Sequence, residues 1–247
     1  SLSWIYDNSV FGFTGPVDGL RKNTTLTVSP GYGSNNLIFQ TLKSDIRKYW
    51  RIGKDYTFAI RGFFGTSLDK NKQKFFLGGV PYLLSGSGET NGREDRSNFR
   101  EVLLDTTNET LIHDLYFTEY AWPLRGARFA ERFGSNTALL NMEIRFPFIN
   151  YLALGFPLKM IFGNIRGHAF VDVGAAWDNS NEFIDNKWPK RYGENNSQNS
   201  FSPLVTTAGL GTKINLGYFL LKIEAAWDKN QNGYSKPQWY FSLGPDW

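Results

Sequence analysis

Residues 136–148 read Asn-Thr-Ala-Leu-Leu-Asn-Met-Glu-Ile-Arg-Phe-Pro-Phe. Leu140, Met142, Ile144, Phe146 and Phe148 take every second position, and Asn141, Glu143 and Arg145 fill the gaps. A period of two places the two sets on opposite faces of a β-strand. A soluble strand usually runs ~5–6 residues, whereas a tilted strand crossing a bilayer needs about 9–11. Length therefore argues more strongly than alternation for a transmembrane β-barrel, whose strands set lipid-facing apolar residues against lumen-facing polar ones.

The pattern recurs on both sides of this stretch. Ala169, Val171, Val173, Ala175 and Trp177 alternate with His168, Phe170 and Asp172. Leu204, Ala208, Leu210 and Ile214 oppose Thr207, Gly209, Gly211 and Lys213, and Phe219, Leu221, Ile223, Ala225 and Trp227 oppose Lys222 and Glu224. Upstream, Tyr56, Phe58 and Ile60 alternate with Thr57, Ala59 and Arg61, and Ile38, Leu42, Ile46 and Trp50 oppose Lys43, Asp45 and Arg47. With short segments around Leu2–Tyr6 and Thr24–Val28, this predicts about nine strands and no helix of useful length. Connections alternate between tight ones, such as Asn215 to Tyr218, and long polar ones, such as Asn179 to Ser202. Short periplasmic turns and long external loops produce that asymmetry. Trp4, Tyr49, Trp50, Trp177, Trp227 and Trp239 lie near strand ends, where interfacial girdles would place them.

Composition agrees with an all-β chain. Aromatics at 17% and charged residues at 20% of 247 residues exclude a disordered chain. A mean hydropathy of −0.38 does not argue against a membrane protein, because alternating strands average out. The net charge of +4 is spread among acids, so no basic patch points to nucleic acid. Cysteine is absent. The opening Ser-Leu-Ser-Trp-Ile-Tyr has no signal-peptide pattern, so the expectation is a processed chain or one beginning part-way along a barrel. At the other end, Trp239, Phe241, Leu243, Pro245 and Trp247 alternate up to the terminal aromatic, resembling the assembly signal of bacterial outer-membrane barrels.

The span from about residue 68 to residue 135 is unusual for its length, since connections that long are functional or disordered. It carries Phe75-Phe76-Leu77-Gly78-Gly79 and Leu124-Arg125-Gly126; then follow Asn141-Met142-Glu143 with Pro147, and Phe170-Val171-Asp172-Val173-Gly174. In this order the four motifs resemble the C-terminal barrel of the BamA/TamA-like superfamily of outer-membrane insertases and translocases, the bacterial surface antigen barrels. The resemblance covers roughly residues 55–247. It implies about the last nine of sixteen strands, with residues 68–135 as a loop folded into the lumen and periplasmic domains upstream. It also implies that Arg125, at the Leu124-Arg125-Gly126 tip, latches onto Glu143 and Asp172, while Phe75, Gly78 and Gly79 form a supporting Gly-Gly element. An arginine presents a planar fork suited to carboxylates, and alternation turns Glu143 and Asp172 to the lumen. Ala127 departs from the pattern, for an aromatic usually follows Arg-Gly there. Residues 85–120, with Glu89, Arg93, Glu94, Asp95 and Arg96, read as a solvated insertion.

Two functions remain open at this point. One is assembly or translocation of client outer-membrane proteins or secreted polypeptides through a lateral seam with Gln238–Trp247 on one side. The implied partners are those clients, outer-membrane lipids and lipopolysaccharide, and accessory lipoproteins or periplasmic domains. The other is a passive pore or a barrel anchor for a soluble domain. Nothing implies an enzyme, a metal or a cofactor. His113 and His168 have no neighbours at metal-ligand spacing, Ser85-Gly86-Ser87-Gly88 is not a nucleophile elbow, and Gly163 to Gly167 reads as a turn.

Overall fold

The computed structural model describes residues 1–31, 37–80, 83–87, 118–121, 123–127, 131–149, 165–179, 204–216, 219–230, 233–234 and 236–244. His113, Pro245, Trp247, most of the 179–202 connection and the charged residues Glu89 to Arg96 lie outside them. Nine strands build one wall: β1 (Leu2–Asp7), β3 (Gly15–Pro30), β4 (Ile38–Ile52), β5 (Tyr56–Leu68), β10 (Asn136–Ile149), β11 (Ile165–Trp177), β12 (Val205–Asn215), β13 (Leu220–Asn230) and β15 (Gln238–Gly244). Short strands accompany them: β2 (Val10–Gly12) pairs with β3 and β14 (Gly233–Tyr234) with β13. The remaining four, β6 (Lys74–Leu77), β7 (Leu83–Ser87), β8 (Thr118–Ala121) and β9 (Arg132–Gly134), belong to the long β5–β10 connection.

Wall strands pair antiparallel in the order β1-β3-β4-β5-β10-β11-β12-β13-β15, and β7 continues the path beyond β15. Among the described residues no pairing joins β1 to β15 or β7. Register turns alternation along each strand into rows across the wall. Ile60, Met142, Val171, Ala208 and Trp227 form one apolar row over five strands. On the opposite face, Arg145, His168, Gly211, Glu224 and Tyr240 form a polar one.

Burial is inverted relative to a soluble sheet. Ile46, Phe64, Ile144 and Leu210 are 42–54% exposed, while Glu143, Asp172, Lys213 and His168 across the wall are at most 1% exposed. A water-soluble sandwich would bury the first set and expose the second. This wall has hydrocarbon as its outer solvent and protein on its polar side. Trp4, Trp50 and Trp239 are more than 40% exposed, as a girdle requires, but Tyr49 is fully buried. Its odd position on β4 turns it inward, where the Arg145 guanidinium lies 5.9 Å from its ring, so Tyr49 does not belong to the girdle.

The lumen is occupied by a second sheet in the order β8-β6-β9, with β6–β8 parallel. It presses close to the wall because glycines leave room. A Cβ on Gly65 would lie 2.6 Å from the Phe75 ring, and one on Gly174 would lie 2.8 Å from Leu77. Leu77, Ala121, Leu124 and Ala127 join wall residues Leu139, Ala176 and Val205 in one apolar cluster. Lys43 on β4 holds Glu119 on β8 at 2.6 Å. At the end of the short turns, the β2 hairpin folds across the wall, and Arg145 donates to the Pro16 carbonyl at 2.8 Å.

Candidate functional site: a loop tip latched to the lumen wall

Two segments of the lumen connection meet before reaching the wall. Gly79 and Leu124 exchange both backbone hydrogen bonds, at 3.2 and 3.0 Å. Gly78 and Gly79 take φ of 125° and 91°, conformations strained for any residue with a Cβ. The Gly-Gly element is thus the backbone partner that presents the tip. Asn141 fixes the residue before Leu124, donating to the Pro123 carbonyl at 2.8 Å.

Arg125 then enters the wall with 2% exposure. Its Nε and Nη2 grip the two Asp172 oxygens, each at 2.8 Å, and its backbone N–H donates to Asp172 Oδ2 at 3.1 Å. Nη1 donates at 3.0 Å to both Glu143 Oε2 and Glu224 Oε1. The guanidinium lies 3.5 Å from the centre of the Phe170 ring. That ring lies over Gly209, where any Cβ would collide with it. Burial opposes the charged guanidinium, but Asp172, Glu224 and Glu143 outweigh it and hold the Arg125 pKa well above its ordinary value.

Cations surround the carboxylates of the cluster. Arg145 Nε donates to Glu143 at 2.6 Å, Lys213 Nζ contacts the same oxygen, and His168 Nε2 lies 2.8 Å from Glu224. Three cations, Arg125, Arg145 and Lys213, therefore meet three carboxylates, Glu143, Asp172 and Glu224. Buried charges persist in this way, paired and hydrogen-bonded.

Beyond Arg125 the tip rests on the last wall strand. Gly126 donates its N–H to Tyr240 Oη at 3.0 Å and accepts from Gln238 Nε2 at 2.9 Å; Tyr240 Oη donates to Gln238 Oε1 at 2.6 Å. Gly126 has φ of 85°, and a Cβ there would lie 3.1 Å from Ala226 and 3.2 Å from Thr207. Ala127 is small enough to sit in the apolar cluster with Leu77 and Leu124, which accounts for the missing aromatic.

The structure thus brings Arg125, Glu143 and Asp172 together, with Leu124 and Gly126 beside Arg125 and Gly79 paired to Leu124, whereas Phe75 lies apart from the latch, against Gly65 on β5. Trp239, Phe241 and Leu243 stand apart on the outer face of β15. Sequence reading missed Glu224, Asn141, Phe170, Gln238 and Tyr240 as site residues. Inward parity was visible for each, but only cross-strand register shows which of them reach the tip.

Tyr240→Phe is expected to weaken the tip by about 1–3 kcal/mol, because the Gly126 N–H and Gln238 Oε1 lose a buried partner while ring packing against Val80, Phe170 and Ala226 is kept. Limited proteolysis of the full-length protein across a temperature series reads this as earlier cleavage in the loop. An unchanged pattern would mean the tie to β15 contributes nothing.

An inside-polar, outside-apolar antiparallel wall filled by its own latched loop defines an outer-membrane β-barrel of the lumen-plugged kind. The chain belongs to the Omp85 superfamily: the family model described as Omp85 superfamily domain matches residues 1–247. Among solved structures it is similar to BamA from Haemophilus ducreyi lacking POTRA domains 1-3, at 12% identity and a TM-score of 0.55. That match covers 98% of this chain and 41% of the other, so the chain spans about two fifths of that relative's length. CdiB from Acinetobacter baumannii aligns at 12% identity and a TM-score of 0.45, over 91% of this chain and 30% of its own. No curated protein matches.

Proposed function

We propose that this chain is the C-terminal, client-handling part of an outer-membrane insertase or translocase. It acts without catalytic chemistry or a cofactor. The observation that carries this reading is the joining of a lumen loop to the last strand: Gln238 and Tyr240 of β15 hold both backbone groups of Gly126, next to Arg125. A passive pore has no use for a tip that fills the interior and is tied to β15, the last strand of the wall. In a barrel that lends its edge to a client strand, the same tie lets the loop sense and stabilise that strand. Main-chain pairing at an exposed sheet edge supplies affinity for any extended segment regardless of its sequence. Client outer-membrane proteins or secreted polypeptides are the partners this mechanism takes. The apolar outer face meets outer-membrane lipids and lipopolysaccharide, and periplasmic domains or accessory lipoproteins deliver the client.

Depleting the full-length protein tests this. Outer-membrane levels of client β-barrels or surface levels of secreted polypeptides are expected to fall. Unchanged levels, together with a large steady ion conductance of the purified protein in planar bilayers, would favour the passive pore and overturn the reading.

A further inference from the structure

The outer face of the wall is not apolar throughout. Along β5, β10, β11 and β12 every described outward position is uncharged. On β3 and β4 the register turns two lysines outward. Lys22 lies opposite Tyr6 on β1 and Ile46 on β4, and Lys48 lies opposite Leu20 on β3 and Ile60 on β5. The two lysines are therefore diagonal neighbours, a spacing of about 7–8 Å that long side chains bridge. Among the described residues neither is paired with a carboxylate. Asp18, the acid of β3, accepts instead from the Gly19 N–H at 2.8 Å. Charge on a lipid-facing strand is costly away from the interfaces, so two adjacent unpaired cations call for an anion.

Their surroundings say which anion. β4 ends at Ile52 beside a short turn to Tyr56, so this end of the wall is periplasmic by the rule of short periplasmic turns. Trp50 lies next to that end, half exposed and stacked on Phe58 at 5.6 Å, where an interfacial girdle belongs. Lys48 leans towards it, its Nζ 5.6 Å from the centre of the Trp50 ring. That is the direction in which a lysine snorkels to an interface. One row deeper the face opens. Gly62, in the row of Lys22 and Ile46, has nothing within 4 Å of the place a Cβ would take. Ile46 and Leu140 flank that recess across the sheet, and Ile60 and Phe64 along β5.

We propose that this patch binds an anionic phospholipid of the periplasmic leaflet. Lys48, Lys22 and the Tyr6 hydroxyl hold its phosphate beside Trp50, and an acyl chain rises over Gly62 towards the bilayer centre. The order of the parts matches such a lipid, with Lys48 and Trp50 nearest the interface and the recess deeper. The site depends on the membrane-spanning wall and not on client handling.

Native mass spectrometry of the full-length protein, released from detergent micelles holding equal amounts of phosphatidylcholine and phosphatidylglycerol, tests this. The natural protein is expected to retain phosphatidylglycerol preferentially. Lys22→Gln with Lys48→Gln should lower that retention by on the order of fivefold per lysine, the scale of one basic residue at an anionic surface. Lys229→Gln, which changes an exposed lysine on β13, should leave it unchanged. Gly62→Leu fills the recess and should lower retention with both lysines in place. Heat-modifiability on gels establishes that each variant is folded before it is scored. No preference in the natural protein, or the same preference in the double variant, would overturn the site. An equal loss in Lys229→Gln would also overturn it, leaving only general charge attraction. Unchanged retention in Gly62→Leu would overturn the seating of the chain. Lipopolysaccharide outcompeting phosphatidylglycerol would place the phosphate in the other leaflet, and a lipid-free dimer would make the face an interface between copies; either result sinks the proposal.

Discussion

Arg125→Ala in the full-length protein is expected to free the loop from the wall and lower client assembly, while the protein itself is still made. The size of the effect follows from what the substitution leaves behind. Asp172, Glu143 and Glu224 are each at most 2% exposed, and Asp172 has no other hydrogen-bond partner than Arg125 among the described contacts. Removing one partner of a buried pair costs about 3–5 kcal/mol, because the remaining charge is stranded. Glu143 keeps Arg145 and Lys213, and Glu224 keeps His168, so the main loss falls on Asp172. Arg125→Lys is expected to rescue poorly, since an ammonium cannot make the two-pronged contact with Asp172 and reach Glu143 and Glu224 as well. Protease sensitivity of the loop and client levels in the outer membrane are the two readouts. If both are unchanged in Arg125→Ala, the latch has no part in the function.

Ile144→Lys is expected to act on the other face and by a different route. Ile144 lies well inside β10, between Glu143 and Arg145, and is 42% exposed. Its two neighbours are a buried anion and a buried cation paired with each other; its own surroundings are hydrocarbon. A lysine on the lipid face near the bilayer midplane costs about 2–4 kcal/mol, falling towards zero near the interfaces. Heat-modifiability on gels of the lipid-reconstituted protein should show unfolding at a lower temperature. A lysine tolerated at 144 without any shift would mean that this face does not meet lipid.

The contrast between positions 143 and 144 also shows what the sequence made legible. Alternation over residues 136–148 separated wall from lumen residue by residue, and the inward turn of Glu143 and Asp172 followed from it. The arginine that meets them was legible through the ordered motifs. Glu224 was seen only as part of a polar lumen wall, because its place beside Arg125 depends on two successive registers, β11 to β12 and β12 to β13. Gln238 and Tyr240 were hidden by attention to the outward residues of the same strand, Trp239 and Phe241. The lumen sheet and β7 were illegible for another reason. Strands of three to five residues carry too few positions for a period to register, and their partners lie tens of residues away. The last wall strand, read as one side of a lateral seam, pairs over Trp239–Ser242 with β7, a partner hidden for the same reason.

The latch has a consequence for biogenesis. Arg125 reaches Glu143 across 18 residues, Asp172 across 47 and Glu224 across 99, and Gly126 reaches Tyr240 across 114. Contacts that close such long spans come late, because the entropy of the intervening chain must be given up first. The full set exists only when β10, β11, β12, β13 and β15 already stand side by side. The seated loop is therefore an assembly checkpoint: the interior becomes protease-resistant only in a molecule in which β15 has joined the wall, and a barrel stalled before β15 would be recognisable by its loose loop.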